Sequence, residues 1–175
     1  MRYEVTGKQP NSKLCLVCGM KNPIGLKAFF YETGTKELIA VFKPMEEHQS
    51  YPNRLHGGIA AAILDETIGR AILMHHEEEV WGVTVEFTTR FKKAIPLDGE
   101  LKVVGRITKN GNRIFEGTGE LLLSDGEVAV TAHGKYLKMP LDKIADFDRE
   151  ENEWRVIKSD QDPSHIDSTK SIMDP

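Results

Sequence analysis

A glycine pair followed at once by a helical run constrains this chain of 175 residues more than any other stretch. Residues 54–70 read R-L-H-G-G-I-A-A-A-I-L-D-E-T-I-G-R. Gly57 and Gly58 interrupt regular structure, and the residues from Ile59 onward suit a helix. The first amides of that helix have no intrahelical acceptor, and no bulky side chain at Gly58 shields them. Unpaired N–H groups and the helix dipole favour partial negative charge at such a point. Two turns further on, Asp65 sets a carboxylate into a run of Ala, Ile and Leu.

Projected at about 100° per residue, Gly58, Ala62, Asp65, Gly69 and His76 fall in one narrow sector, with Ala61 and Ile72 at its edges. A face of small residues suits close approach by a backbone or a ligand. Ala60, Leu64, Ile68 and Ala71 form a neighbouring stripe that reads as core. Glu66 and Arg70, four apart on a third side, can pair. Asp65 and Glu66 point roughly 100° apart and cannot share one role. Taken alone, Asp65 reads equally as a solvated helix carboxylate, and His56 as a loop residue that satisfies a backbone group.

His-Gly-Gly followed by a small apolar helix carrying Leu-Asp-Glu resembles the signature of the hotdog-fold thioesterases, in the branch of the phenylacetate-pathway thioesterase. The resemblance runs from about Leu14 to Met139. It implies an α+β hotdog fold, an antiparallel sheet wrapped around one long central helix, with the active site between two subunits. It assigns Asp65 as general base or nucleophile, His56 as the group orienting the thioester or its water, and Thr84 as a hydroxyl reaching the opposite subunit's carboxylate. β-propensity alone also accounts for Thr84.

The remaining pattern agrees with that fold. Lys27 to Glu32 and Glu37 to Lys43 read as two strands across a Thr33-Gly34-Thr35 turn. Pro44 to Leu55 is a polar loop, and the helix runs from about Gly58 to His76. Glu77, Glu78 and Glu79 oppose the helix dipole and help to end it. Val80 to Lys93 alternates and is rich in β-branched and aromatic residues, hence a long strand. Glu100 to Lys109, Arg113 to Ser124 and Glu127 to Met139 read as three more strands. Asn110-Gly111-Asn112 and Asp125-Gly126 join them as hairpins, which makes them antiparallel. A sheet with one helix on one face buries both apolar surfaces.

Residues 1–139 thus form the predicted hotdog domain, and 140–175 a C-terminal extension. The extension reads as a short amphipathic helix bearing Leu141, Ile144, Ala145 and Phe147, then a polar tail with Ile166 and Ile172. Phe147, Trp154 and Val156 are expected to pack on the sheet or on a neighbouring subunit.

Composition narrows the partners. The hydrophobic fraction of 39% and charged fraction of 29% suit a soluble domain with a core. A net charge of -4 argues against nucleic-acid binding, which usually brings a basic excess. No apolar run approaches the roughly 20 residues needed to span a bilayer, and the polar start lacks a signal-peptide core. A cytoplasmic protein is expected. Cys15 and Cys18, in C-L-V-C-G, are the two cysteines. A structural zinc site normally takes four ligands, and neither a second cysteine pair nor a spaced histidine pair follows. They read as reduced thiols in a turn shaped by Gly19, Asn22, Pro23 and Gly25.

The chemistry follows from these parts. A thioester carbonyl gathers negative charge on oxygen when attacked, and the Gly58 amide at the Gly57-Gly58 helix start can donate to it. Asp65 then activates water, or attacks directly to give a mixed anhydride. The thioester is already activated, so no metal or other cofactor is called for. Coenzyme A carries phosphates, for which Arg90, Lys92 and Lys93 on the long strand and Arg54 beside the glycine pair are candidates. A solvated strand edge guarded by lysines is the plainer account of that cluster. The expected function is acyl-CoA hydrolysis to free acid and coenzyme A by a homodimer or homotetramer. The alternative is a non-catalytic acyl-CoA-binding hotdog protein, a sensor or carrier. The hotdog dehydratase signature, which places histidine and acid differently, is not found.

Overall fold

A computed structural model describes residues 1–168. Eight strands form one sheet: β1 (Arg2–Lys8), β2 (Phe29–Thr33), β3 (Leu38–Phe42), β4 (Trp81–Phe91), β5 (Leu101–Asn110), β6 (Ile114–Leu122), β7 (Val128–Met139) and β8 (His165–Asp167). The main helix α1 (Gly57–Arg70) lies between β3 and β4 in the chain, and a one-turn helix α2 (Leu141–Ile144) follows β7. The strand order is β4-β7-β6-β5-β3-β2-β1-β8, with every neighbouring pair antiparallel. The long helix packs against β3 through β7, as expected for the hotdog arrangement.

Periodicity explains the burial. Along β3, Leu38, Ala40 and Phe42 join the core against α1, whereas Ile39 and Val41 join a second cluster on the opposite face with Tyr3, Tyr31, Val104 and Ile166. A strand covered on both faces needs apolar residues at every position, which L-I-A-V-F supplies. On the helix, Ala60, Leu64, Ile68 and Ala71 are all fully buried, as the projected stripe requires. The sheet also has small residues where α1 approaches. A Cβ at Gly105 would sit 3.0 Å from the Thr67 carbonyl oxygen, and one at Gly117 2.6 Å from Ile68 Cγ2. Close helix–sheet packing therefore depends on glycines in β5 and β6.

Several boundaries differ from the sequence reading. The first strand, β1, falls in a start that reads only as polar, where the sequence assigns no strand. R-Y-E-V-T-G-K shows one buried residue, Tyr3, because this strand lies near the sheet margin between β2 and β8. The helix expected to reach His76 ends as α-helix at Arg70 and tightens into a 3₁₀ segment, Ala71–His75, opened by the Ala71 N–H to Ile68 carbonyl bond. The amphipathic helix expected after Met139 is one turn long; only Leu141 of it is buried, so it has no wide apolar face to hold further turns. Beyond it the chain folds back: Arg155 pairs with Asn11, and β8 joins β1. Trp154 packs on the sheet as expected, edge-on to Trp81 of β4 at 5.2 Å, and Phe147 packs on Trp154 at 5.4 Å. Val156 does not; it remains 39% exposed. Ile166 is buried in β8, and Ile172 lies outside the described residues.

Candidate functional site

The helix start is built by His56. Its backbone is extended (φ -63°, ψ 132°), and its carbonyl accepts from Ile59 N at 3.0 Å and Ala60 N at 3.1 Å. Its ring Nδ1 accepts the Gly58 amide at 2.9 Å. The Gly58 N–H, read as bare in the sequence, is thus capped by the histidine two residues earlier, the arrangement an N-cap side chain gives. Both residues are exposed, so the cap lies at the surface. The loop ahead is anchored by His48, which is buried and which in the sequence stands only as an isolated histidine. Its Nδ1 accepts the Met45 amide at 2.9 Å, its Nε2 lies 2.8 Å from the Ile24 carbonyl, and its own carbonyl accepts from His56 N at 2.8 Å.

Asp65 stands on a different surface of α1. Its two carboxylate oxygens each lie 3.0 Å from Thr84 Oγ1 of β4 in the same chain, where the resemblance implied a hydroxyl reaching the opposite subunit's carboxylate. Its backbone carbonyl accepts from the Tyr136 hydroxyl of β7 at 3.2 Å. Burial raises the Asp65 pKa above its ordinary 3.8; the Thr84 bond and the nearby Tyr136 hydroxyl oppose that shift, and the charge of Glu66 adds to it. Asp65, Thr84, Tyr136, Gly69 and Trp154 line a cavity of about 260 Å³. The small-residue sector is used as projected: a Cβ at Gly69 would come 3.2 Å from the Tyr136 ring, so the glycine lets β7 close over the helix. Nothing in the sequence signals that Tyr136 and Trp154 stand beside Asp65, since that place follows from strand order and from the returning tail.

Glu66 and Arg70 pair as expected, Nε to Oε1, at 2.8 Å. Arg70 is buried, a point helix spacing could not show.

The basic residues divide. Arg54, Lys92 and Lys93 line a cavity of about 400 Å³ together with Gly57 and Phe91. Lys93 is paired with Glu127. Arg90 lines a separate cavity with Thr118 and His133. Within one chain, then, Asp65 and Thr84 come together, as do Arg54, Lys92, Lys93 and Gly57. Gly58 and His56 join neither Asp65 nor its cavity; seven residues of helix put the Gly58 amide about 10 Å away along the axis. Among the described residues no helix is long and apolar enough to cross a membrane.

Comparison with known proteins places this geometry. Residues 53–130, which hold the glycine pair, α1 and the strands through the start of β7, match the thioesterase superfamily. An uncharacterized protein of Schizosaccharomyces pombe is 29% identical over 98 residues, covering 56% of this chain and 55% of that protein. The chain thus matches about half the length of that relative. A thioesterase superfamily protein of known crystal structure superposes with a TM-score of 0.64 at 23% identity, over 70% of this chain and 59% of its own. A hypothetical thioesterase of Streptococcus pneumoniae, crystallised with coenzyme A, superposes with a TM-score of 0.55 at 18% identity, over 59% of this chain and 82% of its own.

Proposed function

We propose, from the match of residues 53–130 to the thioesterase superfamily and from the hotdog fold, that this protein is an acyl-CoA thioesterase of the phenylacetate-pathway type. The observation that carries the reading is the Asp65 carboxylate, half-buried beside a cavity and held by Thr84 on both oxygens. A carboxylate with a raised pKa is a better proton acceptor than a solvated one. Water adds to the thioester carbonyl and gives its proton to Asp65. The C–S bond breaks, and the departing coenzyme A thiolate takes that proton. Direct attack by Asp65, through a mixed anhydride, uses the same position.

The oxyanion donor is the Gly58 amide of a second copy, because about 10 Å separates this amide from Asp65 within one chain. Several features support a homodimer or homotetramer. The open edge strand β4 carries Thr84, and Val85 and Phe91 on it are exposed. Substrate entry displaces the exposed His56 ring from the Gly58 N–H, which then meets the carbonyl oxygen. His56 thereby holds the amide in waiting and orients the thioester. Arg54, Lys92 and Lys93 take the phosphates of coenzyme A in the cavity beside Gly57. The free thiols of Cys15 and Cys18 fit a reducing, cytoplasmic setting.

A second reading, a non-catalytic acyl-CoA sensor or carrier, is favoured by one observation: the Gly58 amide is already bonded to His56. One experiment separates the two. Purified protein is incubated with short-chain, long-chain and aryl acyl-CoAs, and free thiol is followed. Release that disappears in Asp65→Asn is the result expected. Tight binding without turnover in the unsubstituted protein would overturn hydrolysis in favour of the sensor.

A further inference from the structure

The fold completes a ligand set that the sequence left at two. Sγ of Cys15, Sγ of Cys18 and a carboxylate oxygen of Glu66 lie within 4.8 Å of one another, although Glu66 is 51 residues along the chain from Cys15. We propose that Cys15, Cys18 and Glu66 form a binding site for one thiophilic divalent cation of the zinc class, with its fourth position open to the cavity beside Asp65. This site is independent of the hydrolase reading.

The distances suit such an ion. Zn–S and Zn–O bonds of about 2.3 and 2.0 Å at a tetrahedral angle set S and O about 3.5 Å apart. Cys15 Sγ lies 3.3 Å from Glu66 Oε2. The thiol proton now shared along that contact leaves when the metal enters.

The surroundings are arranged for thiolates and for one free carboxylate oxygen. Cys15 Sγ accepts backbone amides from Val17 at 3.3 Å and Cys18 at 3.4 Å. Cys18 Sγ accepts from Arg70 Nη2 at 3.2 Å and lies 3.5 Å from Ser12 Oγ. Glu66 Oε1 is taken by Arg70 Nε at 2.8 Å, so Oε2 alone faces the sulfurs. A guanidinium that fixes a ligating carboxylate and supports a thiolate acts as an outer partner to the metal. Charge closes as well: two thiolates and a carboxylate are offset by the divalent ion and the Arg70 cation.

The turn is shaped to aim both sulfurs at α1. Gly19 N donates to the Cys15 carbonyl at 2.9 Å, and a Cβ at Gly19 would fall 2.3 Å from that oxygen. Only glycine allows so tight a curl. Cys15, Cys18 and Glu66 also line the cavity that holds Asp65, which gives an ion a path in and water a place as fourth ligand.

The test uses the full chain, stripped by chelator under reducing conditions and titrated with Co²⁺ and then Zn²⁺. Expected are one Co²⁺ per chain, a thiolate-to-cobalt charge-transfer band with the intense visible bands of a tetrahedral ion, and loss of both on adding Zn²⁺. Zn²⁺ should also slow alkylation of both thiols in the unsubstituted protein, a readout that needs no variant. Glu66→Gln should weaken Zn²⁺ binding by at least about tenfold. Alkylation that is unchanged by Zn²⁺ overturns the site, as does cobalt uptake without a charge-transfer band.

Discussion

The hydroxyl of Thr84 lies 3.0 Å from each carboxylate oxygen of Asp65, tying the edge strand to the helix across 19 residues of sequence. A hydrogen bond to the charged form favours ionisation, so this contact works against burial in setting the Asp65 pKa. Removing it in Thr84→Val lets that pKa rise further. A base must be ionised to act, so the acid limb of kcat/KM moves to higher pH in the variant. Loss of a bond to a charged group, about 1.5–3 kcal/mol, corresponds to a roughly ten- to hundredfold fall in rate. Thr84→Ser should restore both rate and limb. A pH–rate series on the three proteins checks this, and an unmoved limb in Thr84→Val would detach the hydroxyl from the acid.

Asp65 should also cost stability. Its folded pKa lies above the ordinary 3.8, so the folded state holds the proton more firmly than the unfolded chain does. That contribution is fully present below 3.8 and is lost as pH rises through the folded value. Asp65→Asn carries no such loss. Urea unfolding at a series of pH values should show the variant gaining on the unsubstituted protein as pH climbs past that window, then holding a constant lead. A difference that stays flat with pH throughout would contradict the burial of the carboxylate. Inactive yet more stable is the combination expected of a site residue.

Arg70 illustrates a different dependence. Its guanidinium is buried against Glu66, the Pro10 carbonyl at 2.9 Å and Cys18 Sγ, and it lies 4.4 Å from the centre of the Phe30 ring. Arg70→Met leaves the Glu66 carboxylate, itself largely covered, without its cation. Breaking one side of a buried pair costs about 3–5 kcal/mol. Arg70→Lys should recover only part of this, because an ammonium cannot reach three acceptors in a plane. Denaturant midpoints for the two variants give the measurement; equal stability of Met and Lys would show that shape alone matters there.

The residues differ in how far their roles could be read in advance. Patterns confined to one element were legible: the buried stripe of α1, the β5–β6–β7 hairpins and the Glu66–Arg70 pair all follow from local spacing. So was Asp65 as the odd carboxylate on a small-residue face, because glycine and alanine spacing is itself a local signal. What long-range topology decides was not. Tyr136 reaches the Asp65 carbonyl because β7 lies beside β4, and Trp154 reaches the cavity because the tail returns along Asn11. Glu66 meets Cys15 only after the N-terminal turn folds onto the helix. The strand β1 was hidden by its place near the sheet margin, where polar outward residues mask the alternation. His56 shows a subtler limit. Its position before the glycines was plain, but a ring that caps Gly58 and a ring that leaves it bare share one sequence.

The basic cavity yields the sharpest separation between neighbouring residues. Lys92 and Arg54 line it, whereas Arg90, two positions before Lys92, lines another cavity: residues two apart in a continuous strand share a face, but β4 ends at Phe91, so Lys92 lies beyond the strand and leaves that face. Both Lys92 and Arg54 are exposed, so a contact to a coenzyme A phosphate is worth about 0.5–1 kcal/mol. Lys92→Ala and Arg54→Ala should each raise KM for acyl-CoA by about two- to fivefold, with kcat little changed, since the phosphates take no part in the bonds made and broken. The effect should shrink as salt is added, because screening weakens exposed charge pairs. Arg90→Ala should leave KM near its starting value. Steady-state kinetics at low and high ionic strength, with a short acyl-CoA and with the matching acyl-pantetheine that lacks the nucleotide, give the decisive comparison. The lysine and arginine effects belong only to the nucleotide-bearing substrate; if they persist with acyl-pantetheine, this cavity does not hold the phosphates.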